Sequence, residues 1–362
     1  MKKIAIVSWD MSILGGINQV IATLANGFCE RYEVYVISLV KEKEKTAYVF
    51  PENVHGVHYI LERNARGREV MQEGKQKLKE FLHQEEISTV FLMGFQVSLP
   101  TILMAGRGGI DYVFCDHEAL MSRWKERKIT LVRFLSAILS KKVVTLTKSN
   151  AEDYRRQFHL PEKKVTYIYN SVSDKVMANR EEYHADSKRI LSVGRFSPEK
   201  GYDMLIEVAK DVFRDYPDWK WYLYGNGETF EQIQKKIQEE QLENQVILKG
   251  EVSDVSKIYG EGAIYVLTSY REGLPLVLLE AKANHLPCIS FDIVSGPREI
   301  IRPDIDGMLI PPFDTKMMAE KIKLLISNDG LRMKMSGEAD GNLAQFSSDA
   351  VMNQWFELID NL

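Results

Sequence analysis

Two glutamates, Glu272 and Glu280, are separated by seven residues that are almost entirely apolar. Glu272 follows an apolar run typical of a strand, and Glu280 lies where the pattern predicts a helix. A carboxylate in such surroundings needs a polar partner, and sugar hydroxyls are suitable because one carboxylate accepts two of them. The two residues are therefore a candidate carbohydrate site. The alternative is a structural pair that is bonded to nearby backbone amides.

Two cations, Arg195 and Lys200, share a short loop that runs from Gly194 to Gly201. Arginine offers a planar fork of donors, and lysine offers a compact charge. Together they could neutralise a departing diphosphate without a metal ion. The alternative is a solvated loop in which Arg195 pairs with Glu199.

Two further strand ends carry weaker patterns. Gly15 and Gly16 precede a predicted helix, where glycines let the backbone approach a ligand and the helix amino terminus favours phosphate. A plain turn is the alternative there. Asp116 and His117 follow the fifth predicted strand, which places polar side chains at its carboxyl end. The alternative at this position is a capping carboxylate beside a structural histidine.

Strands alternate with helices along the chain in two successive sets. The first set begins at Ile4 and ends near Tyr169, and the second begins at Ile190 and ends near Ile310, before two closing helices. The strands are continuous apolar runs, which is typical of parallel sheets that are covered on both faces. In such sheets ligands bind outside the carboxyl ends of the strands, so we expect the site in the loops named above.

Length and composition agree with two domains. The 362 residues exceed the size at which one core stops growing, and 45% of them are hydrophobic. We expect domains at residues 1–172 and 187–345, with a polar linker within 171–188. The first apolar run, Ile4–Trp9, is too short for a signal peptide, and no apolar stretch is long enough to span a membrane. Three widely separated cysteines fit a reducing compartment, so the expectation is a cytoplasmic protein.

Charge is distributed unevenly along the chain. Residues 1–170 carry 25 Lys and Arg against 19 Asp and Glu, which leaves 22 of the 47 basic and 32 of the 51 acidic residues for the remainder. Between Arg123 and Lys142, seven cations face one acid, Glu126, and apolar residues are interleaved with them. A basic amphipathic helix can lie on an anionic membrane. An ordinary core helix with a solvated face is the alternative.

The motifs Gly194-Arg195-x4-Lys200-Gly201 and Glu272-x7-Glu280 resemble those of the retaining glycosyltransferases of family 4, and the resemblance covers essentially the whole chain. It implies the GT-B fold, an α/β architecture in which two doubly wound, Rossmann-like domains face each other across a cleft. It also implies that the last helix, within residues 346–362, crosses back onto the first domain.

The resemblance implies a role for each motif. Glu280 is expected to hold the donor ribose, Glu272 the sugar hydroxyls, and Arg195 with Lys200 the diphosphate. His117 matches a histidine that touches the sugar in this family, whereas the preceding acid, Asp116, is less usual there. The catalytic set is therefore His117, Arg195, Lys200 and Glu272. The other implied donor contacts are Gly15, Gly16, Gly194, Gly225, Gly250, Val252, Gly273, Leu274 and Pro275, with Asp116, Ser295 and Gly296 as candidate sugar contacts.

The resemblance implies transfer of a hexose or N-acetylhexosamine from a nucleotide-sugar, UDP rather than GDP, to a glycan or lipid-linked glycan in cell-surface polysaccharide assembly. The acceptor hydroxyl is expected to attack without a protein nucleophile. No metal, cofactor or nucleic acid is expected. The segment 123–142 would bring a cytoplasmic enzyme to the inner face of the membrane.

Three other interpretations stay open. A metal-dependent transferase would use an Asp-x-Asp motif, and Asp304-Ile305-Asp306 is present, although in a composition typical of a turn. A nucleotide-sugar epimerase or hydrolase has the same two-domain architecture and needs no acceptor. A two-domain binding protein without chemistry is disfavoured by the charged loop residues and by the missing export signal.

Overall fold

The computed structural model describes residues 1–44, 48–106, 108–252 and 254–362. Contacts divide the chain into two compact units, residues 1–170 with 351–362 and residues 171–350. Each unit is built on one parallel β-sheet with helices between its strands. The predicted α/β class with two doubly wound sheets is therefore confirmed.

The first unit has seven parallel strands in the order β3-β2-β1-β4-β5-β6-β7. The strands are β1 (Lys3–Asp10), β2 (Glu33–Val40), β3 (Val54–Tyr59), β4 (Thr89–Met93), β5 (Asp111–Asp116), β6 (Lys142–Thr145) and β7 (Val165–Tyr167). The helices are α1 (Gly16–Phe28), α2 (Gly67–Gln84), α3 (Phe95–Ala105), α4 (Arg127–Leu139) and α5 (Lys148–Phe158), and a 3-10 helix spans Leu120–Arg123.

The core of the first unit follows from the apolar strands. Every residue of β4 is buried, as expected for a strand whose two faces are both covered by helices. Helix α1 turns Ile21, Leu24 and Phe28 toward the sheet, and these side chains lie at helical spacing.

The last helix, α13 (Ser348–Asp360), returns to the first unit. Trp355 is buried against Phe28 and Phe91, with ring centroids 5.9 and 5.7 Å apart. The Lys2 ammonium also donates to the carbonyl of Ile359 at 2.9 Å. Burial of a large apolar side chain contributes about 1.5–3 kcal/mol, so this helix is an integral part of the unit.

The second unit has six parallel strands in the order β10-β9-β8-β11-β12-β13. The strands are β8 (Arg189–Val193), β9 (Lys220–Tyr224), β10 (Val246–Gly250), β11 (Ile264–Leu267), β12 (Cys288–Phe291) and β13 (Gly307–Ile310). The helices are α6 (Asp174–Ala178), α7 (Tyr202–Asp215), α8 (Phe230–Glu239), α9 (Leu276–Ala283), α10 (Pro297–Ile300), α11 (Thr315–Ile326) and α12 (Asp329–Gly337).

The order of the second sheet fixes where its loops meet. Strand β8 lies between β9 and β11, so the order of the strands reverses at β8. Open α/β sheets bind ligands at such a switch point, outside the carboxyl ends of the strands. The loop after β8 carries Arg195 and Lys200, and the loop after β11 carries Glu272. The topology therefore makes the two charged loops neighbours.

Two segments differ from the expectations. Helix α3 was not predicted, because it is apolar on most faces and contains Pro100, which usually interrupts a helix. The segment 171–188 was expected to be a linker, but it packs on the second unit. The Asn179 amide donates to Ser256 Oγ at 3.0 Å, and the Tyr183 hydroxyl donates to the Ala263 carbonyl at 2.9 Å. The segment has no periodic apolar face that would have indicated this packing.

Candidate functional site

The loops after β8 and β11 are bonded to each other in the second unit. The Tyr270 amide donates to the Glu199 carbonyl at 2.8 Å, and the Thr268 hydroxyl donates to the Lys200 carbonyl at 3.2 Å. Gly201 has φ +64°, and a Cβ atom there would collide with the carbonyl oxygen of Thr268. Only glycine therefore allows the two loops to approach this closely.

Lys200 and Glu272 form an ion pair between these loops. The Lys200 ammonium lies 2.7 Å from Glu272 Oε1, and the Ser269 hydroxyl donates to the same oxygen at 2.6 Å. Solvent still reaches both side chains, which are 22% and 10% exposed. A pair that is held by neighbours yet open to solvent can exchange its partners for the phosphate and hydroxyl groups of a ligand.

Arg195, in the same loop as Lys200, is exposed. Within the part of the chain that the structure describes, its guanidinium has no hydrogen bond or ion pair, so the alternative pairing with Glu199 is not formed. The loop around it is packed onto α7, because Phe196 stacks on Tyr202 at 4.2 Å and the Tyr202 hydroxyl donates to the Gly194 carbonyl at 3.1 Å. A free arginine on a fixed loop is available to an anion.

Glycines hold the neighbouring loops close to this one. Gly225 has φ +134°, and a Cβ atom at this position would overlap the carbonyl oxygen of Gly194. The Gly225 amide donates to the Gly250 carbonyl at 2.8 Å, which joins the ends of β9 and β10. Val252 follows Gly250 by two residues and is half-buried.

Glu280 lies on α9 and is bonded to a side chain that the sequence analysis missed. The Tyr259 hydroxyl donates to Glu280 Oε2 at 2.7 Å, and Tyr259 is completely buried. Burial raises the pKa of Glu280, and the hydrogen bond from Tyr259 opposes that rise. The second oxygen of this carboxylate remains as an acceptor for a ligand hydroxyl.

The turn before α9 is tied to the loop after β12. The Ser295 hydroxyl donates to the Gly273 carbonyl at 3.2 Å, and Gly296, with φ +99°, approaches the same carbonyl. Leu274 is buried, and Pro275 precedes the first residue of α9. These residues give Glu272 and Glu280 a common support, since both glutamates flank the turn.

The first unit places Gly15 and Gly16 at the amino terminus of α1. In the described residues the N-cap makes no side-chain capping bond, the Gly15 amide donates to the Tyr48 hydroxyl at 3.0 Å, and a Cβ atom at either glycine would meet nothing within 4 Å. The preceding loop is organised by Asp10, whose carboxylate accepts from the Ser12 amide at 2.8 Å and from the Glu42 amide at 3.0 Å. The helix therefore starts beside open space, as an anion site requires, but the Gly15 amide already has the Tyr48 hydroxyl as its partner.

His117 follows β5, and its Nε2 atom is buried without a hydrogen-bond partner in the described part of the chain. Burial lowers the pKa of His117 to about 4, so the ring is neutral at physiological pH. A buried polar atom without a partner is costly. An arriving substrate group would satisfy it, which makes His117 a site candidate.

Asp116, expected as a candidate sugar contact, is instead enclosed by protein. It is 1% exposed, accepts from the Tyr154 hydroxyl at 2.6 Å, and pairs with Arg133 Nε at 3.0 Å. Burial raises the pKa of Asp116, and the Arg133 guanidinium opposes that rise. Its carboxylate is thus occupied inside the unit, which supports the structural alternative.

Arg133 was counted among the cations of a basic helix surface, and that placement is wrong. Its side chain is 0% exposed, and its Nη2 atom bonds Glu118 at 3.0 Å while Nε meets Asp116. The buried Arg133 guanidinium therefore pairs with the residues on both sides of His117.

The second aspartate of the Asp-x-Asp sequence is buried in the second unit. Asp306, in the Asp-x-Asp sequence, is 1% exposed and accepts from Lys282 at 2.7 Å and from Arg302 at 2.6 Å. It therefore has two protein cations as partners, in line with a structural turn.

None of the helices in the described ranges is long and apolar enough to cross a membrane.

Two family models match the chain in succession. The model of glycosyltransferase family 4 matches residues 14–176, and the model of glycosyl transferases group 1 matches residues 176–341. The two matches meet at residue 176, close to the boundary between the two units.

Named relatives agree with these models. An uncharacterized glycosyltransferase of Haemophilus influenzae is 25% identical over 98% of this chain and 99% of its own length. The poly(ribitol-phosphate) alpha-N-acetylglucosaminyltransferase of Staphylococcus aureus is 30% identical over 60% of this chain, which spans only 44% of that protein. A Campylobacter jejuni N-acetylgalactosaminyltransferase, whose name gives a diphosphate-linked undecaprenol glycan as its acceptor, is 21% identical over 95% of each chain.

The fold is shared with solved structures. TarM of S. aureus, in a complex with fondaparinux, alpha-GlcNAc-glycerol and UDP, superimposes with a TM-score of 0.85 at 17% identity and covers 99% of each chain. At this identity the likeness establishes the architecture, and the predicted GT-B fold is confirmed.

Proposed function

Because the chain belongs to the group 1 glycosyltransferases, we propose that it is a retaining enzyme that moves a hexose or N-acetylhexosamine from a UDP-sugar to a glycan or lipid-linked glycan. The observation that carries the proposal is the half-open Lys200–Glu272 pair at the switch point of the second sheet. An unpaired arginine, Arg195, lies in the same loop.

In this proposal the second unit stabilises the leaving group. Lys200 and Arg195 bind the diphosphate and offset the negative charge that grows on it as the glycosidic bond breaks. Glu272, released from Lys200, accepts hydrogen bonds from sugar hydroxyls, and Ser269 keeps its carboxylate in place. Glu280 accepts from the ribose while Tyr259 fixes its other oxygen.

The first unit supplies His117 and the amino terminus of α1. His117 is neutral, so its ring can donate to or accept from a sugar hydroxyl without bringing a charge. The start of α1 at Gly16 suits a phosphate oxygen, and the Gly15 amide would exchange the Tyr48 hydroxyl for that oxygen. The acceptor hydroxyl attacks on the face that the diphosphate leaves, which retains the configuration of the sugar.

UDP is the favoured nucleotide because a structure of similar fold contains UDP. The named activities of the relatives favour an N-acetylhexosamine donor and an acceptor in surface polysaccharide or lipid-linked glycan assembly. The enzyme would then work in the cytoplasm, at the inner face of the membrane.

The test is product analysis with purified protein. UDP-sugars are supplied with a polyprenyl-diphosphate glycan acceptor, and the anomeric configuration of the product is read by NMR. The proposal expects an α-linked product from an α-linked donor, and undiminished turnover in EDTA. A sugar that is isomerised with donor alone identifies an epimerase, and inversion or loss of activity in EDTA contradicts the mechanism.

A further inference from the structure

An open groove of about 690 Å³ lies on the first unit, beside the amino-terminal half of α4. Its volume falls within the range of about 300–1,000 Å³ that is usual for small-molecule sites. The groove belongs entirely to the first unit and shares no residue with the glycine loop or with His117.

Aromatic side chains form its inner surface. Phe158 lies 5.3 Å from Phe134 and 5.9 Å from Trp124 between ring centroids. Leu131 extends this apolar surface outward and is 56% exposed. The groove therefore offers an apolar floor that continues to the protein surface.

Two cations, Lys125 and Arg127, also line the groove. Both are exposed, and in the described ranges neither has a hydrogen bond or an ion pair. The one acid nearby in sequence, Glu126, is bonded to Arg123 at 2.7 Å through each of its oxygens. The groove thus combines an apolar floor with uncompensated positive charge.

The outer face of α4 continues the same pattern. Leu131 and Ile138 are exposed at 56% and 43%, and Leu135 lies between them at helical spacing. The helix contains no acidic residue, and Lys128 is exposed beside Arg127. This surface favours a molecule with a long apolar part and an anionic head.

Other ligand classes fit this chemistry poorly. The lining residues offer no carboxylate or amide side chain to fix hydroxyl or amino donors, because they are aromatic, aliphatic or cationic apart from Thr130, whose hydroxyl donates to the Trp124 carbonyl at 3.0 Å. The exposed Leu131 would also stay uncovered beneath a polar glycan or base. An amphiphilic phosphate needs only the cations and the apolar floor.

The groove is structurally connected to the segment that carries His117. Trp124 caps the 3-10 helix Leu120–Arg123, which begins shortly after His117 along the chain. Asn150 fixes that connection, because its amide donates to the Glu118 carbonyl at 3.0 Å and its oxygen accepts from the Leu120 amide at 2.8 Å.

We propose that this groove binds the lipid phosphate of a lipid-linked acceptor, with the hydrocarbon on Trp124, Phe134 and Leu131 and the phosphate at Lys125 and Arg127. The inference rests on the proposed function, since it takes the substrate to be lipid-linked. It places the anchor of that substrate on the same segment as His117.

The experiment is flotation of the full-length protein with phosphatidylcholine vesicles that contain undecaprenyl phosphate. Vesicles with phosphatidylglycerol at matched surface charge form the second arm. We expect the protein to bind the vesicles with undecaprenyl phosphate more tightly. Lys125→Ser and Arg127→Ser should each weaken that binding by about fivefold. Leu131→Glu should weaken binding by more than tenfold, because it adds a like charge and removes apolar contact.

Matched controls are Lys163→Ser and Leu103→Glu, which change exposed residues elsewhere on the same unit. Both should bind as the wild type does, and melting curves verify that every variant is folded. Equal binding to both vesicle types would overturn the inference in favour of a general membrane surface. Binding that no groove variant reduces would overturn it as well.

A soluble acceptor glycan that carries neither the phosphate nor the hydrocarbon separates this inference from the proposed function. We expect the wild type to transfer sugar to it, and Leu131→Glu to lose much more activity on the vesicle-bound acceptor than on this soluble one. Equal loss on both acceptors would contradict the groove assignment, whereas wild-type protein without transfer to either would contradict the proposed function.

Discussion

The Asp116–Arg133 pair of the first unit and the Lys200–Glu272 pair of the second are both short, at 3.0 and 2.7 Å. Solvent reaches only one of them. The first pair is 1% and 0% exposed and is enclosed by Tyr154 and Glu118, whereas the second is 10–22% exposed at the end of a sheet.

This difference separates two uses of an ion pair. A buried pair whose charges satisfy each other costs much to break, and its burial closes it to a ligand. A partly open pair can be exchanged, because phosphate and hydroxyl groups can replace the interaction that is lost. We therefore propose that Asp116 and Arg133 position His117, and that Lys200 and Glu272 bind substrate.

The largest expected effect is on the closed pair. Arg133→Met leaves the Asp116 carboxylate buried without a cation, which should lower the free energy of unfolding by about 3–5 kcal/mol. Urea titration measures it. Arg156→Met, which removes the exposed Arg156–Asp153 pair from α5, should cost less than about 1 kcal/mol. Similar losses in both variants would mean that burial does not distinguish these pairs.

Substitutions at the Lys200–Glu272 pair and at Arg195 should lower turnover rather than stability. Lys200→Met or Arg195→Ala should lower turnover by about 100- to 1,000-fold, since each removes a donor to the leaving diphosphate. The melting temperature should stay near that of the wild type. Lys235→Met, which removes an exposed lysine of α8, is the matched control and should keep full turnover. Near-normal turnover in either site variant would defeat the assignment.

Glu280 lies between the two cases, because it is a proposed ligand-binding carboxylate that is bonded to the buried Tyr259. Glu280→Gln should weaken UDP binding by about 10- to 100-fold in calorimetry, through loss of a charged acceptor for the ribose. Unchanged affinity would remove Glu280 from the donor site. Tyr259→Phe keeps the charge and should weaken binding by less.

Glu280→Gln should also stabilise the protein in the absence of ligand. Burial raises the pKa of Glu280, so the stability that this group contributes is present at low pH and is lost as pH rises through the raised pKa. Glu280→Gln should therefore melt higher than the wild type at neutral pH, with the difference vanishing in acid. A difference that does not vary with pH would contradict this account.

The smallest effect concerns His117. Burial lowers its pKa to about 4, so stability from its neutral form is present above about pH 6.5 and is lost as pH falls toward 4. The imidazole signals of His117, assigned with His117→Gln, should not titrate by NMR between about pH 8 and 5.5. A midpoint near 6.5 would show that solvent enters this pocket.

The sequence predicted the fold well because strand and helix periods are local. The two successive sets of alternating strands and helices, for example, were predicted from apolar periods, and the structure has both sets. Helix α3 was missed, since its uniform apolarity and Pro100 hide the helical period. The charged loops could be located because the ends of predicted strands indicate where a ligand binds.

What the sequence could not predict were the partners of each charge. Tyr259 and Glu280 are 21 residues apart, and Arg133 and Asp116 are 17 apart on different elements, so no local spacing joins them. Arg133 in particular looked like a surface cation of a basic helix. Only the packing of α4 on β5 turns it inward, which makes Asp116 a structural residue.

The most direct test of the account is a crystal structure of the protein with UDP bound. It should place the diphosphate within about 2.7–3.2 Å of Lys200 Nζ, with Arg195 on the same group and the ribose at Glu280. Density for UDP elsewhere, with Lys200 still bonded only to Glu272, would contradict the account.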